Sequence, residues 1–193
     1  VTDFTQDEHD NYWIIHASGV IETLAVEKGS FAVKYRNDYL YKKNRAAILN
    51  YQILTDTDGD AWVFCENDDQ GLYHFDISGD HVRHLHKNSA GLSLNTNLVT
   101  EIVQDDNGLF WVSTDHGGIN VIDKNNLTIH YVLNRDEDEK SLALNSINTL
   151  YRDRDGIIWA GTFKKGVSYF HRNIFRFAVY GHSCLNPAGL PYG

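Results

Sequence analysis

Four aspartate–tryptophan pairs recur along the chain at an almost constant interval. In each pair the aspartate stands six residues before the tryptophan. The pairs are Asp7 with Trp13, Asp56 with Trp62, Asp105 with Trp111, and Asp153 with Trp159. They use all four tryptophans of the protein, and successive tryptophans are 48 or 49 residues apart. A period of this length indicates a repeat protein, in which each unit is one supersecondary element that packs on its neighbours.

A glycine turn precedes the tryptophan in the last three units. Gly59, Gly108 and Gly156 each follow an aspartate or asparagine, and apolar stretches flank the turn on both sides. Asp-Gly and Asn-Gly between two such stretches are typical of a β-hairpin with a type I′ turn, whose two central residues both have positive φ. The first two stretches of each unit are therefore predicted to form an antiparallel hairpin.

Two further stretches complete each of these units. The third stretch begins at a glycine and alternates polar with apolar residues, as a half-buried strand does. The predicted third strands are 71–76, 118–123 and 166–170, and the predicted outer strands are 82–85, 127–132 and 175–180. Four short antiparallel strands in just under fifty residues are what one blade of a β-propeller needs.

The predicted fold is all-β, with four propeller blades over the whole of 1–193. The blades are expected at about 1–48, 49–96, 97–145 and 146–193. Closed propellers commonly have about six to eight blades, so a partial propeller is predicted. The chain also lacks methionine, which leads us to expect a processed product or an excised piece of a longer protein.

The repeated residues are predicted to be architectural. A tryptophan on the second strand buries a large apolar area, so we expect each indole to pack between blades. The aspartates are expected to cap turns or to bridge blades through backbone N–H groups. The recurring set comprises Asp7, Trp13, Asp56, Gly59, Trp62, Asp105, Gly108, Trp111, Asp153, Gly156 and Trp159.

Two segments depart from the repeat. In the first unit Glu8-His9-Asp10-Asn11 replaces the glycine turn, and its tail, 38–50, is basic and polar with Lys42, Lys43 and Arg45. The connection 134–145 contains four acidic residues and is expected to be a solvated loop between blades.

The charge and hydropathy of the chain exclude several function classes. The 26 acidic residues outnumber the 17 lysines and arginines, giving a formal charge of −9. Non-specific binding to nucleic acid depends on cationic side chains, so no nucleic-acid partner is expected. No stretch reaches the roughly 18–20 apolar residues of a membrane helix, and the first residues lack the basic and apolar regions of a secretory signal.

Residues with metal-binding chemistry do not occur at metal-binding spacings. The segment Asp56 to Asp60 resembles the start of a calcium loop, but its glycine is fourth, and Asn67 stands where the bidentate glutamate should be. On an outer strand His84 and His86 would share one face and His81 the other, so the three would not converge and would lie at a solvent-facing edge. No metal or cofactor is predicted.

Catalytic motifs and a disulfide framework are not recognised. There is no Gly-x-Ser-x-Gly elbow, phosphate-binding loop or dinucleotide fingerprint. No catalytic residue is predicted. Cys65 is expected to be a half-buried strand residue and not to pair with Cys184. Tyr35, Tyr39, Tyr41 and Tyr131 could stack on sugar rings, although packing within and between blades is favoured for each.

The repeats resemble those of a known family. The segment 98–114 followed by 117–120 is similar to the two-component regulator propeller repeat, and 147–162 followed by Gly166-Val167 is similar too, with its Trp-x-Gly-Thr form. Residues 141–145 resemble the linker between repeats of that family. The resemblance covers three units well and the first in part.

This resemblance implies a signalling role. Such repeats form the extracytoplasmic sensor half of hybrid two-component regulators, whose usual inducers are oligosaccharides. It implies a periplasmic, non-catalytic segment that senses an oligosaccharide, with the histidine kinase and the membrane helix elsewhere in the parent protein. A homodimer that covers the two end blades is expected. The alternatives are a scaffold for protein interactions and a propeller enzyme such as a lyase or glycosidase.

Overall fold

The chain forms four sheets of four antiparallel strands in a computed structural model. The model describes residues 1–193 except 28, 46, 67, 79–80, 139, 172–173 and 181–193, and only the backbone of 174–180. Within every sheet the strands lie side by side in sequence order. The prediction of all-β propeller blades is confirmed.

The strands are short and regularly spaced. The first sheet contains β1 (Asp3–Gln6), β2 (Tyr12–Ile15), β3 (Ile21–Glu27) and β4 (Ser30–Asn37). The second contains β5 (Tyr51–Thr55), β6 (Ala61–Cys65), β7 (Leu72–Asp76) and β8 (His81–Leu85). The third contains β9 (Val99–Gln104), β10 (Phe110–Thr114), β11 (Gly118–Asp123) and β12 (Thr128–Val132). The fourth contains β13 (Ile147–Arg152), β14 (Ile158–Thr162), β15 (Val167–His171) and β16 (Ile174–Tyr180).

One short helix was not predicted. It is α1 (Tyr39–Lys43), and it lies in the basic connection between the first two sheets. Its Leu40 is fully buried, while Tyr41 is 43% exposed. No helix among the described residues is long and apolar enough to cross a membrane.

The first two sheets form one compact unit, Val1–Leu85. Trp13 and Ile15 of β2 pack in one core with Tyr51 and Ile53 of β5. Leu40 of α1 belongs to the same core, so the helix is anchored between the two sheets. Gly19 has a φ of +87°, and a Cβ there would lie 2.8 Å from Leu40 Cβ, so glycine is needed where the chain passes the helix.

The last two sheets form a second compact unit, His86–Gly193. Trp111 of β10 packs with Leu150 of β13 and Ile158 of β14. Leu142 is fully buried in this core, and Ser141 beside it is also buried. The expectation of a solvated loop over 134–145 is therefore wrong at its end, where a leucine fills the space between the sheets.

The hairpin turns differ from the predicted type I′ turn. At the second turn the Gly59 N–H donates to Asp56 O at 3.1 Å, and the Asp56 N–H donates to Asp60 O at 3.0 Å. Gly59 has a φ of +85°, but Asp58 before it does not have a positive φ. Gly108 and Gly156 repeat this pattern. The loop thus has three residues, a type I turn followed by a left-handed glycine, which explains why only one residue per turn must be glycine.

The first blade makes the same turn without glycine. Asp10 N–H donates to Asp7 O at 3.2 Å and Asp7 N–H donates to Asn11 O at 3.0 Å. Asp10 occupies the glycine position with a φ of +61°. Aspartate tolerates the left-handed region better than most residues. The first blade therefore keeps the turn conformation of the repeat although its sequence lacks the glycine.

Candidate functional site

Each repeated aspartate binds the turn and the tryptophan together. One carboxylate oxygen accepts the backbone N–H groups two and four residues later, and the other accepts the indole N–H. The same three bonds occur in the third and fourth blades. The four indole nitrogens lie 2.8–3.1 Å from their carboxylate oxygens. We call this arrangement of an aspartate, its turn and its tryptophan the buttress. Its hydrogen bonds fix the turn and the orientation of the indole.

Hydrogen bonding keeps two of these aspartates charged. Burial alone would raise the pKa of Asp7, but the Asn11 side chain, the Trp13 indole and two backbone N–H groups lower it overall. The pKa of Asp153 is lowered chiefly by the Trp159 indole, against the opposing effect of burial. A carboxylate that accepts three donors has little capacity left for other chemistry.

The aspartates that connect neighbouring blades are not among the four repeated ones. Asp3 Oδ2 accepts the Ile53 N–H at 2.9 Å, linking β1 of the first blade to β5 of the second. Arg152 of β13, in the fourth blade, forms an ion pair with Asp106 in the turn of the third blade. The repeated aspartates cap turns, whereas residues outside the motif connect neighbouring sheets.

The second blade has a polar pair in its interior. Asp60 Oδ2 lies 3.0 Å from His74 Nε2, and Asp60 Oδ1 accepts the Ile77 N–H at 3.2 Å. His74 stacks on Trp62 with a centroid distance of 4.2 Å. Asp60 and His74 are both buried. The third blade has the apolar Leu109 and Val121 at the equivalent positions, whereas the first blade has the polar Asn11 and Thr23 there.

Asp56, Asp60 and His74 place three potential metal ligands within 4.8 Å of one another. The Asp56 oxygens already accept three donors, as in the other blades. A metal-bound histidine normally donates its second ring N–H to an acceptor. His74 Nδ1 is buried and has no such partner in the described part of the chain. The contacts therefore favour a buried hydrogen-bonded pair over a cation site.

We call residues 38–50, which contain α1, the α1 segment. It contributes to a second polar cluster, and this one reaches the surface. Lys43 Nζ lies 3.1 Å from His84 Nδ1 and 4.8 Å from the centroid of the Tyr73 ring. His84 stacks on Tyr73 with nearly parallel rings, 4.3 Å between centroids. His84 Nε2 lies 2.6 Å from Gln70 O, so it carries the proton, and Nδ1 is left to accept from Lys43. Burial lowers the pKa of Lys43.

Amide and phenol groups brace this cluster from below. Asn44 Nδ2 donates to Gln70 Oε1 at 3.0 Å and also to Tyr51 Oη. Tyr73 Oη donates to the same Gln70 oxygen at 3.1 Å. The buried rings of Tyr51 and Tyr73 have raised pKa values, principally because of burial. We call the surface formed by Tyr39, Tyr41, Lys43 and His84 the α1 surface. It offers aromatic rings, an imidazole and an ammonium group, and the hydrogen bonds among Asn44, Gln70 and the two tyrosines lie beneath them.

The four candidate tyrosines have different environments. Tyr35 packs against Trp13, with 5.9 Å between ring centroids, as the packing interpretation predicts. Tyr39 makes edge contacts with Tyr73 and Phe75 and is 36% exposed. Tyr41 is 43% exposed on α1, and Tyr131 is 44% exposed with its hydroxyl bound to Ser93 O. Of the four, Tyr39 lies beside Lys43, with 5.9 Å between its ring centroid and Lys43 Nζ, whereas Tyr41 is an exposed residue of the same helix.

The histidine group does not form one edge surface. His81 is exposed on β8, and His86 lies beyond the end of that strand, where its Nδ1 accepts the Asn88 N–H. His84 is half-buried against Tyr73 instead of facing solvent. The sequence placed His84 on an outer strand correctly but missed its neighbours Gln70, Tyr73 and Lys43. The available signal was the basic α1 segment in an acidic chain.

Cys65 is a free, buried thiol on β6, and burial raises its pKa to about 11. It is more deeply buried than the sequence suggests, with 2% of its surface exposed. A thiol with such a pKa is protonated and unreactive at neutral pH. Cys184, its hypothetical partner, lies outside the described residues.

Comparison with known protein families identifies two of the repeats. Residues 93–116 and 141–164 match the model of the two component regulator propeller. They contain the Asp105–Trp111 and Asp153–Trp159 buttresses, respectively. No curated protein matches the chain.

Solved structures with similar folds include propeller-containing bacterial proteins. The extracellular domain of BT3049 from B. thetaiotaomicron, described as a hybrid two component system, is 21% identical with a TM-score of 0.63 over 96% of this chain and 23% of that one. The extracellular domain of BT4673 from the same organism is 20% identical with a TM-score of 0.60 over 92% and 24%. PorZ from Porphyromonas gingivalis is 15% identical with a TM-score of 0.60 over 95% and 27%. The chain thus spans about a quarter of each.

Proposed function

We propose that this chain is a non-catalytic, ligand-sensing segment of a hybrid two-component signalling protein, exposed in the periplasm. The match of residues 93–116 and 141–164 to two-component regulator propeller repeats carries this proposal. The folds of two extracellular domains described as hybrid two component systems support it. The kinase and the membrane helix would belong to the rest of the parent protein.

The proposed ligand is an oligosaccharide, bound at the α1 surface. Tyr39 and Tyr41 present partly exposed rings, which can pack against the C–H faces of a sugar. Lys43 adds a hydrogen-bond donor beside the Tyr39 ring. Because loops carry most binding residues while the scaffold keeps them in place, a segment that interrupts the repeat is a suitable position for a site.

Signalling from such a site requires two arrangements of the parent protein. A ligand shifts their populations only if it binds one arrangement more tightly than the other. We propose that the arrangements are those of a homodimer, in which neighbouring copies contact the ends of the blade array. The mass of the chain in solution tests this step, and a monomer at all concentrations would contradict it.

Calorimetric titration of the chain with a panel of neutral and acidic oligosaccharides tests the sensor role. We expect binding of at least one member without any change in the saccharide, which chromatography of the recovered ligand would show. Cleavage of a saccharide would indicate an enzyme instead. Silence across the panel would contradict the proposed ligand class.

A scaffold for protein interactions is the second candidate. The fold similarity to PorZ, described as a surface component of a secretion system, gives it support. The hairpin β3–β4 presents Val26, Phe31 and Val33, each more than half exposed, and Phe31 and Val33 lie on β4, the edge strand of the first sheet. A chain that binds no saccharide in the panel, yet loses self-association with Phe31→Ser, would favour this candidate.

A further inference from the structure

The α1 segment concentrates positive charge in a chain that is otherwise acidic. Residues 38–50 contain three basic residues and one acidic residue, whereas the whole chain has a formal charge of −9. Lys42, Lys43 and Arg45 are all exposed. The acidic residue, Asp38, forms its ion pair with Lys42, with 2.8 Å between the charged atoms. The positive charge of Lys43 is thus not neutralised by the acid of its own segment.

Lys43 is also held in a defined position. Its Nζ lies 3.1 Å from His84 Nδ1, 4.8 Å from the centroid of Tyr73 and 5.9 Å from the centroid of Tyr39. His84 uses its other nitrogen on Gln70 O, so the imidazole accepts one of the three ammonium protons and brings no negative charge. Two N–H donors of Lys43 remain for another acceptor. The ammonium is oriented by neutral groups and has no carboxylate partner among the described residues.

From this geometry we infer that the α1 surface binds an acidic saccharide, with the anionic group of the sugar on Lys43 and a sugar ring against Tyr39. This inference rests on the proposed sensor function and specifies its ligand class. A charge-assisted hydrogen bond from an ammonium to a carboxylate or sulfate is stronger than a neutral one. A site in which the cation lacks a protein anion avoids the cost of first breaking an ion pair.

The neighbouring lysine provides a matched control. Lys42 lies on the same helix and carries the same charge, but it is paired with Asp38. Replacing Lys43 by methionine keeps an apolar stem of similar length against Tyr73 and removes only the ammonium group. Lys42→Met changes the net charge by the same amount, so a general effect of charge would affect both variants equally.

The experiment is calorimetric titration of the chain and both variants with paired saccharides. The pairs are tetragalacturonate against its methyl ester and a chondroitin sulfate tetrasaccharide against the desulfated form, with a hyaluronan tetrasaccharide as a third acidic ligand. The first pair tests carboxylate recognition and the second tests sulfate recognition. Circular dichroism and thermal unfolding establish that each variant is folded.

We expect at least one acidic saccharide to bind the chain more tightly than its neutral counterpart. Lys43→Met should weaken that binding about ten- to a hundredfold, the value of one hydrogen bond to a charged group. Lys42→Met should retain most of the affinity. The preference should decrease with increasing salt, because part of it is electrostatic.

Three results would overturn the inference. The first is equal affinity for charged and neutral partners, and the second is an equal effect of Lys42→Met and Lys43→Met. The third is binding of neutral oligosaccharides only, which would leave the sensor function standing and remove the acidic ligand. Failure of every saccharide to bind would instead remove both.

Discussion

The repeated buttress and the α1 segment differ in whether their polar groups are fully used by contacts within the protein. In the buttress an aspartate, a turn and a tryptophan make the same bonds in all four blades, and every carboxylate is occupied by protein donors. In the α1 segment a helix occurs at one connection alone among the described residues, and its Lys43 ammonium keeps donors available. A repeat protein builds its core from what recurs, so ligand chemistry is best sought where the repeat is broken.

The largest loss of stability should come from removing a buttressed indole that lies inside a core. Trp111 is 4% exposed, so Trp111→Ala should lower the free energy of unfolding by about 3–5 kcal/mol. Trp159 makes the same bond to its aspartate but is only partly buried, so Trp159→Ala should cost clearly less. Urea unfolding measures both, and equal losses would show that burial does not control the contribution.

The carboxylate of the buttress should matter next. Asp105→Ala leaves two backbone N–H groups and an indole N–H without their acceptor, which should cost about 1–3 kcal/mol. Asn107 lies in the same turn with an exposed side chain, so Asn107→Ala should remain within about 0.5 kcal/mol of the parent. A comparable loss in both variants would mean that the turn, and not the carboxylate, is the sensitive element.

Acid should weaken the buttress in a defined pH range. The pKa values of Asp7 and Asp153 are lower in the folded chain than their ordinary value of 3.8. Their contribution to stability is therefore complete above that value and is lost as the pH falls through the folded pKa. The unfolding temperature should drop more steeply below about pH 4, and Asp7→Asn with Asp153→Asn should flatten that drop. An unchanged slope in the double variant would contradict this account.

The turn of the first blade should accept improvement. Asp10 has a φ of +61° at the position where the other blades have glycine. Asp10→Gly should raise the free energy of unfolding by about 0.5–1 kcal/mol, because glycine adopts this conformation without steric cost. Gly108→Ala is the reverse test and should destabilise the third blade. A loss of stability in Asp10→Gly would show that the Gln6–Asp10 hydrogen bond outweighs the backbone term.

The smallest effects on stability are expected in the α1 segment. Lys42→Met and Lys43→Met should each stay within about 0.5 kcal/mol of the parent, because both side chains are exposed. If Lys43→Met destabilised the chain as much as Asp105→Ala, Lys43 would belong to the architecture and not to a site. Thermal unfolding of the three variants side by side makes this comparison.

Periodicity was sufficient to predict the blades because it reports on packing. A constant spacing of tryptophans is what a recurring hairpin with the same aspartate–indole bond produces, and the four sheets follow from that spacing. The turn type was predicted wrongly, since Asp-Gly pairs occur in two- and three-residue loops alike. The expected capping of the turns by the aspartates is confirmed. The indole partner of each carboxylate was missed, although the constant six-residue interval to Trp13 and its equivalents was the signal that could have revealed it.

The candidate site could be predicted only in part. The basic character of 38–50 was visible, but the contact between Lys43 and His84 joins residues 41 positions apart and depends on how α1 sits against β7 and β8. The burial of Leu142 depended similarly on packing between sheets. Asp60 and His74 are 14 positions apart, and two polar residues at positions that are apolar in the third blade could have indicated the pair.

NMR with an isotopically labelled chain can test whether the saccharide binds at the α1 surface and not at the buttresses. Spectra recorded during addition of the tightest acidic saccharide would locate the perturbed amides. We predict the largest shifts within 38–50 and around His84, with the four Asp–Trp turns nearly unchanged. Shifts that centre on those turns and spare the α1 segment would contradict the account.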